Sequence, residues 1–315
     1  MKKLFPLSVT ILLLSCASSS SSLPFGSSDA ESPILESSLS SAEEAISASF
    51  RLLSWNVYLG RGNMDYLVEI VENYCPDIIN FQECTVPCAN MKKDLLGRNP
   101  DYVLIDDAVG EMLCATPILF NAAKFDLLDN GTEMLKDAYQ GVTTKSLAWA
   151  VLEEKESEKL LIHLNFHGAV CTANYDGYET YTDEERQEIA ATWRRGNVAQ
   201  LMDKAEELKE AYGCDAISFS GDCNFDADSL AYSDVLGRGY FDAETSATES
   251  FCQDGLKTSH ALSGAPSEGK SIDHIFCSAG LWIKTHDIDR SAKALKASDH
   301  CPVIADIAME EAPYA

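Results

Sequence analysis

The chain has 315 residues, of which 46% are apolar, enough to bury one sizeable core. Its 24 Lys and Arg stand against 50 Asp and Glu, a formal net charge of −26. Such acidity weighs against avid, sequence-independent binding to duplex DNA, which draws its affinity from several Lys or Arg contacts to phosphate.

The sequence opens Met1-Lys2-Lys3 and continues with an apolar run, Leu4 to Leu14. That run is too short to span a bilayer and suits a secretion leader. It ends Leu13-Leu14-Ser15-Cys16, which resembles the lipobox of bacterial lipoproteins. The resemblance implies a leader over residues 1–15, lipid on Cys16, and a place on the bacterial cell envelope facing away from the cytoplasm. Residues 16–49 are rich in Ser, carry Asp29, Glu31, Glu36, Glu43 and Glu44, and contain no Lys or Arg. With little to bury, they are expected to form a flexible tether. The folded domain is expected over residues 50–315. Ten cysteines follow Cys16, an even number that permits disulfides in an exported chain. Their spacings make no disulfide framework, and several sit in apolar runs, so mostly free thiols and at most two bridges are expected. Cys84 and Cys88 lack the second ligand pair that zinc needs.

Arg51–Tyr58 reads as a buried strand with a polar end. Met64, Leu67, Val68, Val71 and Tyr74 have helical spacing, and Pro76 closes that helix. Asp77–Gln82 reads as a second strand, so the fold opens strand, helix, strand. Short strands follow over Asp101–Asp106, Thr116–Asn121, Lys124–Leu128, Ser146–Glu153 and Lys159–Phe166, with Asn130-Gly131 and Glu154–Glu158 read as turns. Asp183–Ala211 reads as a long helix weakened at Gly196, with Ile189, Trp193, Leu201, Ala205 and Leu208 on one stripe. The remaining strands are Ala216–Ser220, Ser271–Cys277, Leu281–Ile288 and Val303–Met309. Many strands, few helices and no Gly-rich loop after the first strand predict an α/β sandwich of two packed sheets and not a doubly wound nucleotide-binding fold.

Six polar clusters fall where strands end: Ser54-Trp55-Asn56, Gln82-Glu83, Asn165-Phe166-His167, Gly221-Asp222-Cys223-Asn224, Ile272-Asp273-His274 and Ser298-Asp299-His300. Glu83 and Asp299 offer hard carboxylate oxygens and Asn56 a neutral carbonyl, the donors Mg²⁺ takes alongside water and phosphate. His167 and His300 bring imidazoles, a side chain that suits proton transfer or phosphate contact at neutral pH. Asp273 is placed to hold His300 in one tautomer, and Asp222 to orient or deprotonate water. No Ser or Cys stands out as a nucleophile, so direct attack by water is the natural reaction.

In this order the clusters resemble the endonuclease/exonuclease/phosphatase superfamily over about residues 51–309. Trp55-Asn56, Gln82-Glu83, Asn165-Phe166-His167 (with Phe for the usual Thr), Gly221-Asp222-Cys223-Asn224, Asp273 and Ser298-Asp299-His300-Cys301-Pro302-Val303 each match a family motif. The resemblance implies a deoxyribonuclease-I-like fold: a four-layer sandwich, two mixed sheets flanked by helices. It implies Mg²⁺-dependent phosphoester hydrolysis, with Mn²⁺ as a substitute. Metal would be held by Asn56, Glu83 and Asp299. Asn224 and His167 would hold phosphate, and either Asp222 or the His300–Asp273 pair would activate water.

His163 is expected to be packing or surface, and His274 structural, since it should face away from Asp273. Tyr175, Tyr178 and Tyr181 are read as loop packing, with stacking on a base or headgroup as the alternative. Tyr240-Phe241 is the faint candidate for a membrane-inserting hairpin. The substrate is left among a phosphorylated small molecule, a phospholipid headgroup and nucleic acid, acted on by a monomer. The competing reading is a non-catalytic binding module on the same scaffold.

Overall fold

The computed structural model describes residues 48–106, 115–136, 145–170, 178–252, 257–260, 262 and 269–311. These belong to the compact unit Ala45–Ala315. The leader, Cys16 and the tether up to residue 47 lie outside the described residues, as do Cys114, Cys171, Asn174, Tyr175 and the side chain of Tyr178. The fold begins earlier than expected: Ala48 is buried, and Ser49, read as tether, is the first residue of β1.

β1 (Ser49–Asn56) and β2 (Ile78–Gln82) run parallel, joined by α1 (Met64–Tyr74). Asn63 caps α1 by accepting from the Tyr66 amide, and Cys75 ends it in the left-handed conformation. α2 (Ala89–Arg98) follows, a helix not foreseen because its apolar stripe is only Met91 and Leu95. β3 (Tyr102–Ile105) and β4 (Ile118–Asn121) close that edge. β5 (Phe125–Met134), β6 (Ser146–Glu154), β7 (Leu160–His167) and β8 (Ile217–Asp222) build the second sheet. α3 (Asp183–Tyr212) makes the crossover between the parallel β7 and β8. It opens with a full capping box, Thr182 with Glu185, and runs through Gly196 unbroken. α4 (Leu230–Gly237), β9 (Tyr240–Asp242), α5 (Ala243–Ser246) and β10 (Glu249–Ser250) precede β11 (Asp273–Ser278), β12 (Trp282–Ile288), α6 (Ala294–Ala297) and β13 (Val303–Ala308).

Among the described residues, one sheet has seven strands in the order β10-β12-β13-β1-β2-β4-β3. The other has six, β5-β6-β7-β8-β11-β9. Both mix parallel and antiparallel pairs. Leu52, Ile78 and Val303 of the first sheet pack on Ala148, Leu161 and Ile275 of the second. α1 and α2 cover the outer face of the first through Leu67, Val71 and Leu95. α3 and α4 cover the second through Leu201, Ala205 and Val235. This is the expected four-layer sandwich.

Three local expectations are corrected. Asn130-Gly131 is no turn, because β5 runs through it; Gly131 is needed where a Cβ would sit 2.2 Å from the Trp149 ring across the strand pair. The helical stripe of α3 buries Leu201, Ala205 and Leu208, whereas Ile189 and Trp193 are only half-buried. Tyr240-Phe241 lies within β9, both half-buried against the cores, and makes no exposed hairpin. All eight described cysteines after Cys16 are free thiols, and seven of them are not exposed. No described helix is long and apolar enough to cross a membrane.

Polar groups interrupt the interface between the sheets. His163 contacts the Ser218 hydroxyl through Nδ1 at 2.7 Å and the Asn80 carbonyl oxygen through Nε2 at 3.1 Å. Asn80 donates to the Leu164 carbonyl and to Ser220. Gln82 donates to Asn165 and Ser54. Asn165 donates to the Phe81 and Pro117 carbonyls. Burial pushes the His163 imidazole down to about 3, so it packs neutral.

Candidate active site

The strand directions bring the clusters to one edge. Asn56 and Glu83 stand at the C-terminal ends of the parallel β1 and β2, and His167 and Asp222 at those of the parallel β7 and β8. β11 is antiparallel to β8, and its first residue, Asp273, pairs with Asp222. β13 is antiparallel to β1, with Val303 opposite Ser54, so Asp299 and His300 arrive at the same edge.

Asp222 is the hub. Its buried Oδ2 accepts from Asn56 Nδ2 at 2.9 Å, lies 3.3 Å from His167 Nε2 and 3.9 Å from His300 Nε2. Burial alone would raise this carboxyl, but His300, His167 and Lys145 outweigh it and hold it well below the usual carboxylate range. The carboxylate is therefore ionised. Asn56 is engaged at both ends, since its Oδ1 also accepts from the Tyr58 amide at 3.0 Å. A carbonyl oxygen has two lone pairs, so one remains for a cation.

His300 contacts Asp273 Oδ2 through Nδ1 at 2.8 Å. Burial works against its charge, yet Asp273 and Asp222 prevail and raise it to about 10. The Asp222, Asp273 and His300 donor atoms lie within 4.8 Å of one another. The imidazolium already neutralises part of the charge there. The unbalanced negative charge is on the other side: burial raises the Asp299 carboxyl to about 6, against the pull of His300 and with help from Glu83 and Asp222. Glu83 and Asp299 disfavour each other's charge, and carboxylates so placed offer the hard oxygen donors a divalent cation takes. Glu83 takes a left-handed conformation, φ 54°, and its side chain is about a quarter exposed. It projects from the strand end toward His167, whose Nε2 is 4.0 Å from its carboxylate.

Backbone contacts lock these groups. Ser298 Oγ donates to the Asn56 carbonyl at 2.6 Å, and Trp55 Nε1 to the His300 carbonyl at 2.8 Å. Thr258 Oγ1 accepts from the Asp273 amide at 3.1 Å. Asn224, also left-handed at φ 54°, donates its side-chain amide to the Gly168 carbonyl at 3.1 Å, and its own N–H to Asp222. α3 braces both loops: Asn197 accepts from the Ala169 amide at 2.9 Å, and the Arg194 guanidinium donates to the Asn224 carbonyl.

All eight residues singled out in the sequence thus gather at one edge. His163 and His274 are structural as expected. His274 is buried, contacts Asp242 at 2.9 Å and the Phe225 carbonyl at 3.0 Å, and faces away from the site. One buried side chain at this edge was not singled out in the sequence. Lys145, just before β6, is buried, and its Nζ meets His167 Nε2. Its signal was slight: a lysine at the threshold of an apolar strand, level with the His167 end of β7.

A model of the endonuclease/exonuclease/phosphatase family matches residues 53–300. The chain belongs to this family. Its members are metal-dependent phosphoesterases and nucleases, and the two packed mixed sheets flanked by helices match the deoxyribonuclease-I-like fold. Among solved structures, an endonuclease/exonuclease/phosphatase from Bacteroides vulgatus is 20% identical with a TM-score of 0.65, covering 84% of this chain and 100% of that one. A mannosyl-6-phosphatase from Bacteroides thetaiotaomicron is 19% identical, TM-score 0.63, covering 82% and 98%. The human Nocturnin catalytic domain with bound sulfate is 16% identical, TM-score 0.58, covering 82% and 94%. At these identities the likeness speaks to fold. Among curated protein sequences, none matches the chain.

Proposed function

We propose that this protein is a Mg²⁺-dependent hydrolase of phosphoesters in which water attacks phosphorus directly. The observation that carries the reading is the hub at Asp222, an ionised, buried carboxylate facing two imidazoles and aligned by Asn56. Glu83 and Asp299, with the spare lone pair of Asn56, would hold the cation. Bound there, it would neutralise phosphoryl oxygens and the charge that develops on them. Asp222 accepts a hydrogen bond from the attacking water and orients it, and the proton of that water ends on the departing alcohol as the ester P–O bond breaks. His300, held by Asp273, turns Nε2 into the site and donates to a phosphoryl oxygen. His167 and Asn224 hold the phosphate in line with the water.

A phosphorylated small molecule is the substrate class we favour. The acidic surface argues against duplex DNA, and Tyr240-Phe241 is packed away from a bilayer. The mannosyl-6-phosphatase among the fold neighbours supports this choice. Mn²⁺ is expected to replace Mg²⁺. The lipobox-like Leu13-Leu14-Ser15-Cys16 supports an exported protein tethered to the bacterial envelope by lipid on Cys16, with residues 1–15 removed.

The test is an assay of the detergent-solubilised full chain with Mg²⁺ and with EDTA. The substrates are p-nitrophenyl phosphate, bis-p-nitrophenyl phosphate, a hexose 6-phosphate, plasmid DNA and sphingomyelin. Metal-dependent turnover that His300→Ala abolishes is expected, fastest on the small phosphates. Folded protein that turns over none of these and binds no Mg²⁺ would favour the non-catalytic binding module.

A further inference from the structure

Among the described residues, Lys145 is the only lysine or arginine that is buried. An ammonium out of water is costly unless anions or acceptors surround it. Lys145 has one such contact, to His167 Nε2. Asp222 and Glu83 are near enough to favour its charge, yet no described carboxylate is in ion-pair contact with it. Two of its three N–H bonds therefore have no acceptor among the described residues. The ammonium thus sits against His167 and within the electrostatic reach of Asp222 and Glu83, three of the residues gathered at the site.

We propose that Lys145 binds a non-bridging oxygen of the substrate's phosphoryl group and makes the site prefer a doubly charged terminal phosphate over a phosphodiester. The inference rests on the phosphoesterase reading above and narrows its substrate class. A compact ammonium attracts an oxygen in proportion to the charge that oxygen carries, and attracts it most where water is excluded. A monoester dianion gains more from it than a diester monoanion does. Burial draws the amine down to about 8, against Asp222 and Glu83, so an arriving dianion meets a group that is still largely charged at neutral pH.

The experiment compares the wild-type full chain with Lys145→Met and Lys145→Arg at saturating Mg²⁺. It reads kcat and KM for p-nitrophenyl phosphate and bis-p-nitrophenyl phosphate, inhibition by inorganic phosphate, and Mg²⁺ binding by calorimetry. For K145M, kcat/KM on the monoester should fall roughly 10- to 100-fold, the loss of one charged hydrogen bond. The diester should lose less, phosphate inhibition should weaken in step, and Mg²⁺ affinity should hold. K145R should recover part of each. An unchanged monoester-to-diester ratio with unchanged phosphate inhibition overturns the proposal. So does a loss of Mg²⁺ binding that accounts for the whole effect, which would make Lys145 a counter-ion for the carboxylates. Should neither variant fold, tungstate soaked into wild-type crystals decides: contact with Lys145 Nζ supports the proposal and binding elsewhere overturns it. A wild type without turnover or Mg²⁺ binding overturns the phosphoesterase reading itself, a separate result.

Discussion

Asn56 shows how one side chain links two tasks, since its amide points Asp222 at the site while its carbonyl closes the turn to Tyr58. Asn56→Ala is expected to lower kcat/KM by about 10- to 100-fold, the usual cost of losing a group that aims a catalytic one. Steady-state kinetics beside a thermal melt would check it, with the melt little changed. Asp273→Asn leaves the His300 ring in place and removes the charge that stabilises its imidazolium. A loss of about 10²- to 10⁴-fold in kcat is expected, together with a shifted pH profile. At this scale the sequence was legible wherever chemistry restricts the choice of residue. Asn56, Glu83, Asp222, Asp273, Asp299 and His300 have few substitutes for their tasks, so their order resembled that of the family, and the resemblance implied one shared site. Lys145 was not legible, because a lysine before a strand is ordinary on a surface, and only the packing shows that this one is buried.

Among the elements, the tight joins between β7 and β8 matter most for the site. A Cβ at Gly168 would lie 2.3 Å from the Cys223 carbonyl oxygen, so Gly168→Ala must spread the loops that carry His167 and Asp222. Activity is expected to fall more than stability, which paired turnover and denaturant curves would show. Thr182→Ala, which removes the capping box of α3, is expected to cost about 1 kcal/mol of unfolding free energy with turnover unchanged. α1 and α3 were legible because each carries helical spacing and end signals. The course of β5 was not: Asn130-Gly131 has the form of a hairpin turn, and the reason for its glycine is a tryptophan in the next strand. α2 and α4 are short and weakly patterned, and it is the outer faces of the sheets that fix them.

For the molecule as a whole, buried histidines set opposing pH dependences. The Asp242 partner overcomes burial and raises His274 from 6.5 to about 9. A group raised on folding contributes stability that is complete below its unfolded value and disappears as pH rises through its folded one. The His274–Asp242 pair should thus contribute fully at pH 6 and be lost through about pH 9, at most about 3 kcal/mol. His274→Gln is the check: its unfolding free energy should fall short of wild type at pH 6 and approach it at pH 10. His163 and His286, pushed down to about 3 and 4 by burial, act the other way, with stability falling as pH drops below 6.5. The two-sheet architecture was legible from the count and order of strands. The pairing of Asn80 with His163 was not, because polar residues inside apolar strands give no sign of the partner sheet.

That pairing belongs to the polar seam between the sheets, and the seam has a consequence for how the protein loses its site. Apolar faces can slide by fractions of an ångström at little expense, whereas Asn80, His163, Ser218 and Ser220 meet in one relative position only. Asn56 and Glu83 ride on one side of this joint, His167 and Asp222 on the other. A heated molecule that kept all its strands but let the joint slacken would look folded by circular dichroism and yet have no aligned centre. Inactivation should therefore run ahead of the loss of secondary structure.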